Sequence, residues 1–312
     1  MTENITGAPL CYGVIMSENE TIESKLSVRT TADIEGSITK KFKMPVWRRF
    51  TKAVNEYELV KSGDKICVCI SGGKDSMLMA KLFQELKRQS DTEFELRFLM
   101  MDPGYSPDNI GKIRYNAQIM DIPIEVFTTE IFDTVYEMGK SPCSLCARMR
   151  RWNLYTQAEE MGCNKIALGH HYDDVIETIL MAMLYGAQIQ TMMPKLFSTE
   201  HTGMELIRPM YLIREADIIH WAKYNGLEFL QCACRFTENV ALSQDTEKTS
   251  KRAEVKRLIA ELSRDNPFVE QNIFKSVENV CLNNIVAYKD DSGRHHFLDD
   301  YDSKLEEIRK AD

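Results

Sequence analysis

Three short stretches of this chain bring together residue types that can do chemistry. The first, Ser71-Gly72-Gly73-Lys74-Asp75-Ser76, follows the apolar run Ile66-Cys67-Val68-Cys69-Ile70 and opens a helical pattern through Met77, Leu78, Leu82 and Leu86. A strand that breaks into paired glycines and then a helix is an anion site. Glycine lets backbone N–H groups approach phosphate oxygens, and the unpaired amides of a new helix carry partial positive charge. Lys74 adds a full charge, and Asp75 or Ser76 can cap the helix or approach magnesium. The stretch is neither a Walker A loop nor a G-x-G-x-x-G fingerprint. A Gly73→Val change is expected to block phosphate binding, by filling the space and disfavouring a positive φ.

The second stretch is Cys143-Ser-Leu-Cys146, set after Pro142 and before Arg148, Arg150 and Arg151. Two cysteines within one helical turn, with helix amides and arginines lowering their pKa, suit metal binding or redox and persulfide chemistry. Cys232-Ala-Cys234 is the distant partner pair. Together they can form a four-thiolate zinc site, or three of them can hold a [4Fe–4S] cluster with one iron open. Spacing does not choose between these. Cys67 and Cys69 alternate within a buried strand and read as core.

The third stretch, Gly169-His170-His171-Tyr172-Asp173-Asp174, follows an expected strand and precedes an apolar helix. Here one carboxylate is expected to hold magnesium or orient a nucleotide, with His170 on phosphate. Asp173 and Asp174 can also be simple helix caps. Asp102, at the end of Phe98-Leu99-Met100-Met101, falls on the same rim and is expected to border an adenosine pocket.

These stretches need a frame that gathers strand ends. From Lys65 the apolar runs alternate between strand and helix character, the pattern of a doubly wound parallel α/β sheet. The expected strands are Ile66–Ile70, Glu95–Met101, Ile124–Thr128, Lys165–Leu168 and Leu206–Pro209, about five in all. Helices are expected near 75–88, 107–120, 143–161, 173–186 and 214–225. Right-handed crossovers then place the strand C-terminal ends on one rim, where such sheets bind ligands. An earlier helix is expected from Pro45 to Val60. After Cys234 the pattern changes to helices at 247–264 and 267–281, then a hairpin turning at Asp290-Asp291-Ser292-Gly293. The resulting division is 1–44 as an extension, 45–235 as the main domain and 236–312 as a helical and hairpin addition.

Composition limits the function classes. The chain has 312 residues, 44% of them hydrophobic, enough to fill a substantial core. Nine cysteines are too few for a disulfide scaffold at this length. No long apolar run or signal pattern is present, so a cytoplasmic protein without a membrane partner is expected. The net charge of −8 is concentrated at the ends: residues 1–35 carry six acids against two bases, and residues 289–312 eight against five. The middle is near neutral and includes Lys40, Lys41, Lys43, Arg48 and Arg49, interleaved with Phe42, Trp47 and Phe50. Total charge therefore does not exclude RNA as a partner.

Taken in order, Ser71–Ser76, the Pro142–Arg151 stretch, Ala167–Asp174 and the later Cys232 resemble the PP-loop tRNA-cytidine 2-sulfurtransferases, also called 2-thiocytidine synthetases. The resemblance covers roughly residues 45–236 and includes Pro194-Lys195-Leu196 and Arg208-Pro209 through Ile218. It implies an ATP pyrophosphatase fold and thiolation of an anticodon-loop cytidine of tRNA, with ATP, magnesium and a [4Fe–4S] cluster. ATP would be bound by Ser71, Gly72, Gly73, Lys74, Asp75, Ser76, Asp102, Gly169 and His170, with Lys74, Asp75 and Asp174 catalytic. The cluster ligands implied are Cys143, Cys146 and Cys232. Arg148, Arg150 and Arg151 would meet tRNA, as would Lys248, Arg252 and Lys256 unless they form a solvated helix face. The implied partners are tRNA and a sulfur donor such as a cysteine desulfurase, with a homodimer left open. The family's second cysteine pair is usually C-x-x-C, whereas this chain has C-x-C, so Cys234 competes with Cys232. Terminal C-x-x-C zinc fingers, typical of the related tRNA-uridine thiolases, are absent from the sequence. The alternatives are a PP-loop sulfurtransferase that acts elsewhere through a cysteine persulfide, and a non-catalytic ATP and iron-sulfur sensor.

Overall fold

A computed structural model describes residues 29–129, 142–230 and 250–302, with residues 142–147 described only in their helical course. The central strand β1 (Lys65–Ile70) is buried along nearly its whole length because both faces are covered. Its period-two alternation divides it between two cores. Ile66, Val68 and Ile70 join the larger core with Met77, Leu78 and Phe83 of α3 (Lys74–Gln89). Cys67 and Cys69 face the other way, against Tyr155, Ala158, Ile166 and Leu206, as expected for small core residues. The free Cys163 thiol is hydrogen-bonded with Cys67, and that contact together with burial pushes it well above the usual thiol range.

β1 pairs in parallel with β2 (Glu95–Asp102) on one side and β4 (Lys165–Ala167) on the other. Outward from these lie β3 (Ile124–Thr128) and β6 (Glu205–Ile207), giving the order β3-β2-β1-β4-β6-β5. Five strands are parallel, as expected. The sixth, β5 (Lys195–Phe197), runs antiparallel at the edge and is an addition to the expected sheet. Three residues give too little alternation to read as a strand, and an antiparallel edge on a parallel sheet is a common device.

The chain leaves β1 in one direction towards β2 and β3, then returns to place β4 and β6 on the other side. The strand order therefore reverses between β1 and β4, and the crevice at their C-terminal ends is where sheets of this class bind ligands. Five further helices border this frame: α4 (Pro107–Ile119), α5 (Pro142–Glu160), α6 (Tyr172–Gly186), α7 (Glu215–Tyr224) and the C-terminal α8 (Lys251–Asp265). Helix α9 (Val269–Ser276) follows α8. Val255, Ile259 and Phe274 from α8 and α9 pack on Val175, Ile176 and Ile179 of α6. The expected turn at Asp290–Gly293 joins β7 (Ala287–Asp290) to β8 (Gly293–His296). No described helix is long and apolar enough to cross a membrane.

Two expectations change near the N-terminus. Residues 31–39 form helix α1 (Thr31–Thr39), capped by Thr30, and Ile34, Ile38 and Phe42 bury along its four-residue spacing. The expected helix from Pro45 begins instead as a π-helical turn, Lys43–Trp47, and continues as α2 (Arg48–Glu56). It stops where Glu58 takes a φ of +48°. Phe42, Trp47 and Phe50 are buried in the main core, so the basic and aromatic run is no base-stacking platform. Two of its cations are engaged locally: Lys41 sits 3.8 Å over the Tyr224 ring and Arg49 pairs with Asp217 at 3.3 Å.

Candidate active site

The β1–α3 junction is built around an uncapped helix start. Gly73 is the N-cap of α3, and with no side chain it leaves the first-turn amides without a cap. The Ser71 and Ser76 hydroxyls lie 3.1 Å apart; Ser71 N–H donates to Ser76 Oγ, which in turn donates to the Gly73 carbonyl at 3.1 Å. Ser76 thus braces the loop from inside. The positive φ belongs to Gly72 (+81°), where a Cβ would meet Ile113 Cγ1 at 2.5 Å. Gly73 has a φ of −81°, and its Cβ would make ordinary contacts with Ser71 Oγ at 3.6 Å and the Leu230 carbonyl at 3.7 Å. The conformational argument made for Gly73 therefore applies to its neighbour.

Lys74 Nζ lies 3.2 Å from Asp75 Oδ2 and 3.1 Å from Glu215 Oε1. Burial works against its charge, but the two carboxylates outweigh it and hold its pKa above the usual lysine value. Burial pushes the Asp75 carboxyl up, against the pull of Lys74 and His171. Asp75 Oδ1 is buried with no hydrogen-bond partner and sits 4.0 Å from His171 Nε2. A buried, unpartnered carboxylate oxygen at a phosphate-type loop fits a hard cation. Magnesium typically takes one or two carboxylates and completes its shell with phosphate oxygens and water, so no larger acidic cluster is needed.

Across the crevice, the β4–α6 junction is closed on itself. His171 Nδ1 accepts from Asp174 N–H at 3.4 Å, while Asp174 Oδ2 accepts from His171 N–H at 3.0 Å, a reciprocal capping box. Asp174 Oδ1 receives Arg252 at 2.6 Å. Burial opposes the charge on Asp174, but the His171 contacts and Arg252 keep its pKa below the usual range. Both of its oxygens are thus engaged within the protein, whereas Oδ1 of Asp75 is buried without a partner. Asp173 is likewise committed, accepting from Glu215 N–H at 2.7 Å and pairing with Arg214 at 3.4 Å. Gly169 lets the two junctions touch, since a Cβ there would lie 3.2 Å from Ser76 N. Burial, with Arg208 adding to it, lowers the His170 pKa to about 4, so the ring is neutral near pH 7. Its Nδ1 is buried without a partner.

Between the junctions lies a cleft of about 450 Å³, reached by Ser71, Asp75, Gly169, His170 and, from α5, Arg150 and Arg151. Arg150 donates to the Tyr105 hydroxyl at 2.6 Å. Arg148 is exposed and does not line the cleft. Asp102 stands at the end of β2, but its Oδ1 accepts from Gly104 and Tyr105 N–H at 2.9 and 2.8 Å, capping its own loop, and it does not line the cleft. The first turn of α5 carries Cys143 and Cys146 three residues apart, positions that share one helix face. Cys232, Cys234 and Lys248 lie outside the described residues. The chain leading to Cys232 approaches the phosphate-type loop at Leu230, whose carbonyl faces Gly73.

Sequence reasoning missed Glu215 and Glu177, and it assigned Arg252 and Lys256 to tRNA or solvent. In the structure Lys256 pairs with Glu215 at 2.5 Å, and Arg252 reaches both Asp174 and Glu177. It also passed over Arg208 as a site residue; its side chain is half-buried, with Nε buried and unpartnered, and burial pulls its pKa down to about 10. Arg208 and Glu215 fall within the Arg208–Ile218 stretch that carries the resemblance, which was the available signal, whereas Glu177 stands in no such stretch.

A protein-family model described as a PP-loop domain matches residues 43–235. The tRNA-cytidine(32) 2-sulfurtransferase of Coxiella burnetii is 36% identical over 232 residues, covering 73% of this chain and 87% of that protein. The tRNA-cytidine(32) 2-sulfurtransferase 1 of Francisella philomiragia is 37% identical over 243 residues, covering 76% and 90%. Among solved structures, the U34-tRNA thiolase NcsA from Methanococcus maripaludis with its [4Fe-4S] cluster superimposes with a TM-score of 0.58 at 22% identity, over 76% of this chain and 78% of that one. That likeness concerns the fold, whereas the two sequence relatives bear on the family. With the PP-loop match over most of its length and more than a third of its aligned residues in common with these enzymes, the chain belongs to the tRNA-cytidine 2-sulfurtransferase family of PP-loop proteins.

Proposed function

We propose that this sulfurtransferase thiolates tRNA, using ATP to activate the C2 oxygen of an anticodon-loop cytidine and replacing that oxygen with sulfur. The observation that carries the reading is the uncapped start of α3 facing, across one cleft, the arginines of the helix that begins with Cys143 and Cys146. One side offers amides to phosphate, and the other offers cations to a polyanionic substrate.

The C2 oxygen is a poor leaving group and must be activated first. In this reading the β and γ phosphates rest on the α3 amides and Lys74, leaving the α-phosphorus open. The base oxygen attacks it, the α–β phosphoanhydride bond breaks and pyrophosphate departs. Lys74 and the α3 amides stabilise the charge that develops on pyrophosphate. Asp75 would hold magnesium through Oδ1, and that ion would supply further neutralisation of the phosphates. Sulfide then attacks C2, and AMP departs with the former base oxygen. A [4Fe–4S] cluster on Cys143, Cys146 and Cys232 would supply an iron with an open position for sulfide. Neutral His170 is placed to exchange hydrogen bonds with the nucleotide without repelling magnesium. Arg150 and Arg151 meet the RNA backbone, and a loop base splayed from its stack can enter such a cleft. Residues 45–235 carry the chemistry, with 1–44 and 236–312 as additions.

Single alanine variants test this reading under anaerobic reconstitution. Cys143→Ala, Cys146→Ala and Cys232→Ala are expected to lose the visible absorption band and tRNA thiolation together, with Cys234→Ala retaining both. Thiolation that survives loss of the band would favour a bare persulfide. Four equal losses with bound zinc would support a structural metal instead.

A further inference from the structure

Helix α8 lies beyond residues 43–235 matched as the PP-loop domain, yet two of its side chains end on carboxylates of the candidate nucleotide site. Arg252 Nη1 lies 2.6 Å from Asp174 Oδ1 and 3.3 Å from Glu177 Oε2. Lys256 Nζ lies 2.5 Å from Glu215 Oε2, and the other oxygen of Glu215 lies 3.1 Å from Lys74 Nζ. The two cations stand four residues apart and therefore share a helix face. The neighbouring Val255 and Ile259 are buried in the core formed with α6, which fixes that face against the site.

This arrangement addresses an electrostatic problem. The side of the cleft formed by α3, α6 and α7 carries Asp75, Asp173, Asp174, Glu177 and Glu215, against Lys74, Arg208 and Arg214 from the same domain, while Arg150 and Arg151 line the cleft from α5. ATP is a polyanion, and without further cations it would meet more carboxylates than positive charges on that side. Lys74, its natural partner, is already shared between Asp75 and Glu215. For Lys74 to turn to phosphate, Glu215 must keep another cation, and the cation at hand is Lys256.

We propose that Arg252 and Lys256 are positioning residues of the nucleotide site, balancing Asp174, Glu177 and Glu215 so that Lys74 can exchange Glu215 for phosphate. The proposal rests on the reading of this cleft as an ATP site. It moves these two side chains from an RNA-facing surface to the ATP step. Residues 236–312 thereby take part in nucleotide binding without touching the nucleotide.

The test compares full-length wild type, Lys256→Met, Lys256→Arg, Arg252→Met and the double variant Lys256→Met/Glu215→Gln. Magnesium-ATP affinity is measured by equilibrium dialysis, tRNA affinity by filter binding and folding by thermal melting. Lys256→Met should weaken ATP binding roughly tenfold, the scale of one partly shielded charge interaction. Arg252→Met should weaken it in the same direction. Lys256→Arg and the double variant should return to within about threefold of wild type, and tRNA affinity should not change. The rescue by Glu215→Gln separates charge balance from simple packing. Wild-type ATP affinity in Lys256→Met, no rescue in the double variant, or a loss confined to tRNA binding would each overturn the proposal. Failure of the wild type to bind ATP would instead remove the nucleotide-site reading beneath it.

Discussion

Two strand-to-helix junctions face each other across the strand-order reversal of this sheet, and they are built on opposite principles. At β1–α3 the N-cap is a glycine with no capping side chain, so the first amides of a 16-residue helix are left for a ligand. At β4–α6 the same position is filled by a reciprocal His171–Asp174 cap, and the remaining carboxylate oxygen is taken by Arg252. One junction leaves its first-turn amides open, with Lys74 and Asp75 beside them. The other is saturated by side chains. The difference teaches where backbone amides remain free for an anion: the α3 side leaves its first-turn amides without a side-chain cap, whereas the α6 side uses its own in the His171–Asp174 cap.

The largest effect should come from destroying the open junction. Gly72→Val forces a β-branched residue into a φ of +81° and drives its Cβ into Ile113. ATP affinity measured by equilibrium dialysis should fall on the order of a hundredfold, the scale of stored backbone strain plus overlap. Gly73→Ala should cost no more than about fivefold, because its φ is ordinary and its Cβ points at protein atoms. Equal losses at the two glycines would show that the open geometry does not depend on Gly72.

A smaller effect is expected at the closed junction. His171→Ala removes one half of the capping box and should lower unfolding stability by about 1 kcal/mol in denaturant titration. ATP affinity should stay within about threefold of wild type. A large loss of ATP binding without a loss of stability would mean that this junction holds the nucleotide directly.

The smallest effect concerns the shared carboxylate. Burial works against the charge of Glu215, but Lys256 and Lys74 prevail and lower its pKa from 4.5 to about 2. Between those pH values the unfolded chain holds a proton that the folded chain refuses, so stability must fall as pH falls through this window. Glu215→Gln should show a shallower decline in denaturation midpoint between pH 5 and pH 3 than wild type. Identical slopes would mean that Glu215 is not held by the two lysines in solution.

What could be read from the sequence follows from the same contrast. The open junction was legible because a backbone anion site demands glycine beside a buried strand, and β1 announces itself by an unbroken apolar run. Which glycine bears the positive φ was not legible, since either of two adjacent glycines can adopt it, and the close approach of Ile113 to Gly72 depends on where α4 lies. The commitments of Asp174 depended on Arg252, 78 residues away, and no local spacing encodes such a pair. β5 escaped notice because three residues carry too little periodicity. Phe42, Trp47 and Phe50 misled for the reverse reason: their basic neighbours suggested a surface, while their own spacing served the core.

The central claim is that ATP bound at the open junction activates a tRNA base for sulfur transfer. Its most direct test incubates the anaerobically reconstituted protein with ATP, magnesium, a sulfide source and unmodified tRNA. Pyrophosphate release is followed, and the recovered nucleosides are analysed by mass spectrometry. The account predicts pyrophosphate release that requires tRNA and matches the 2-thiocytidine formed, mole for mole. ATP binding without tRNA-dependent pyrophosphate release, or pyrophosphate release without a thionucleoside, would contradict it.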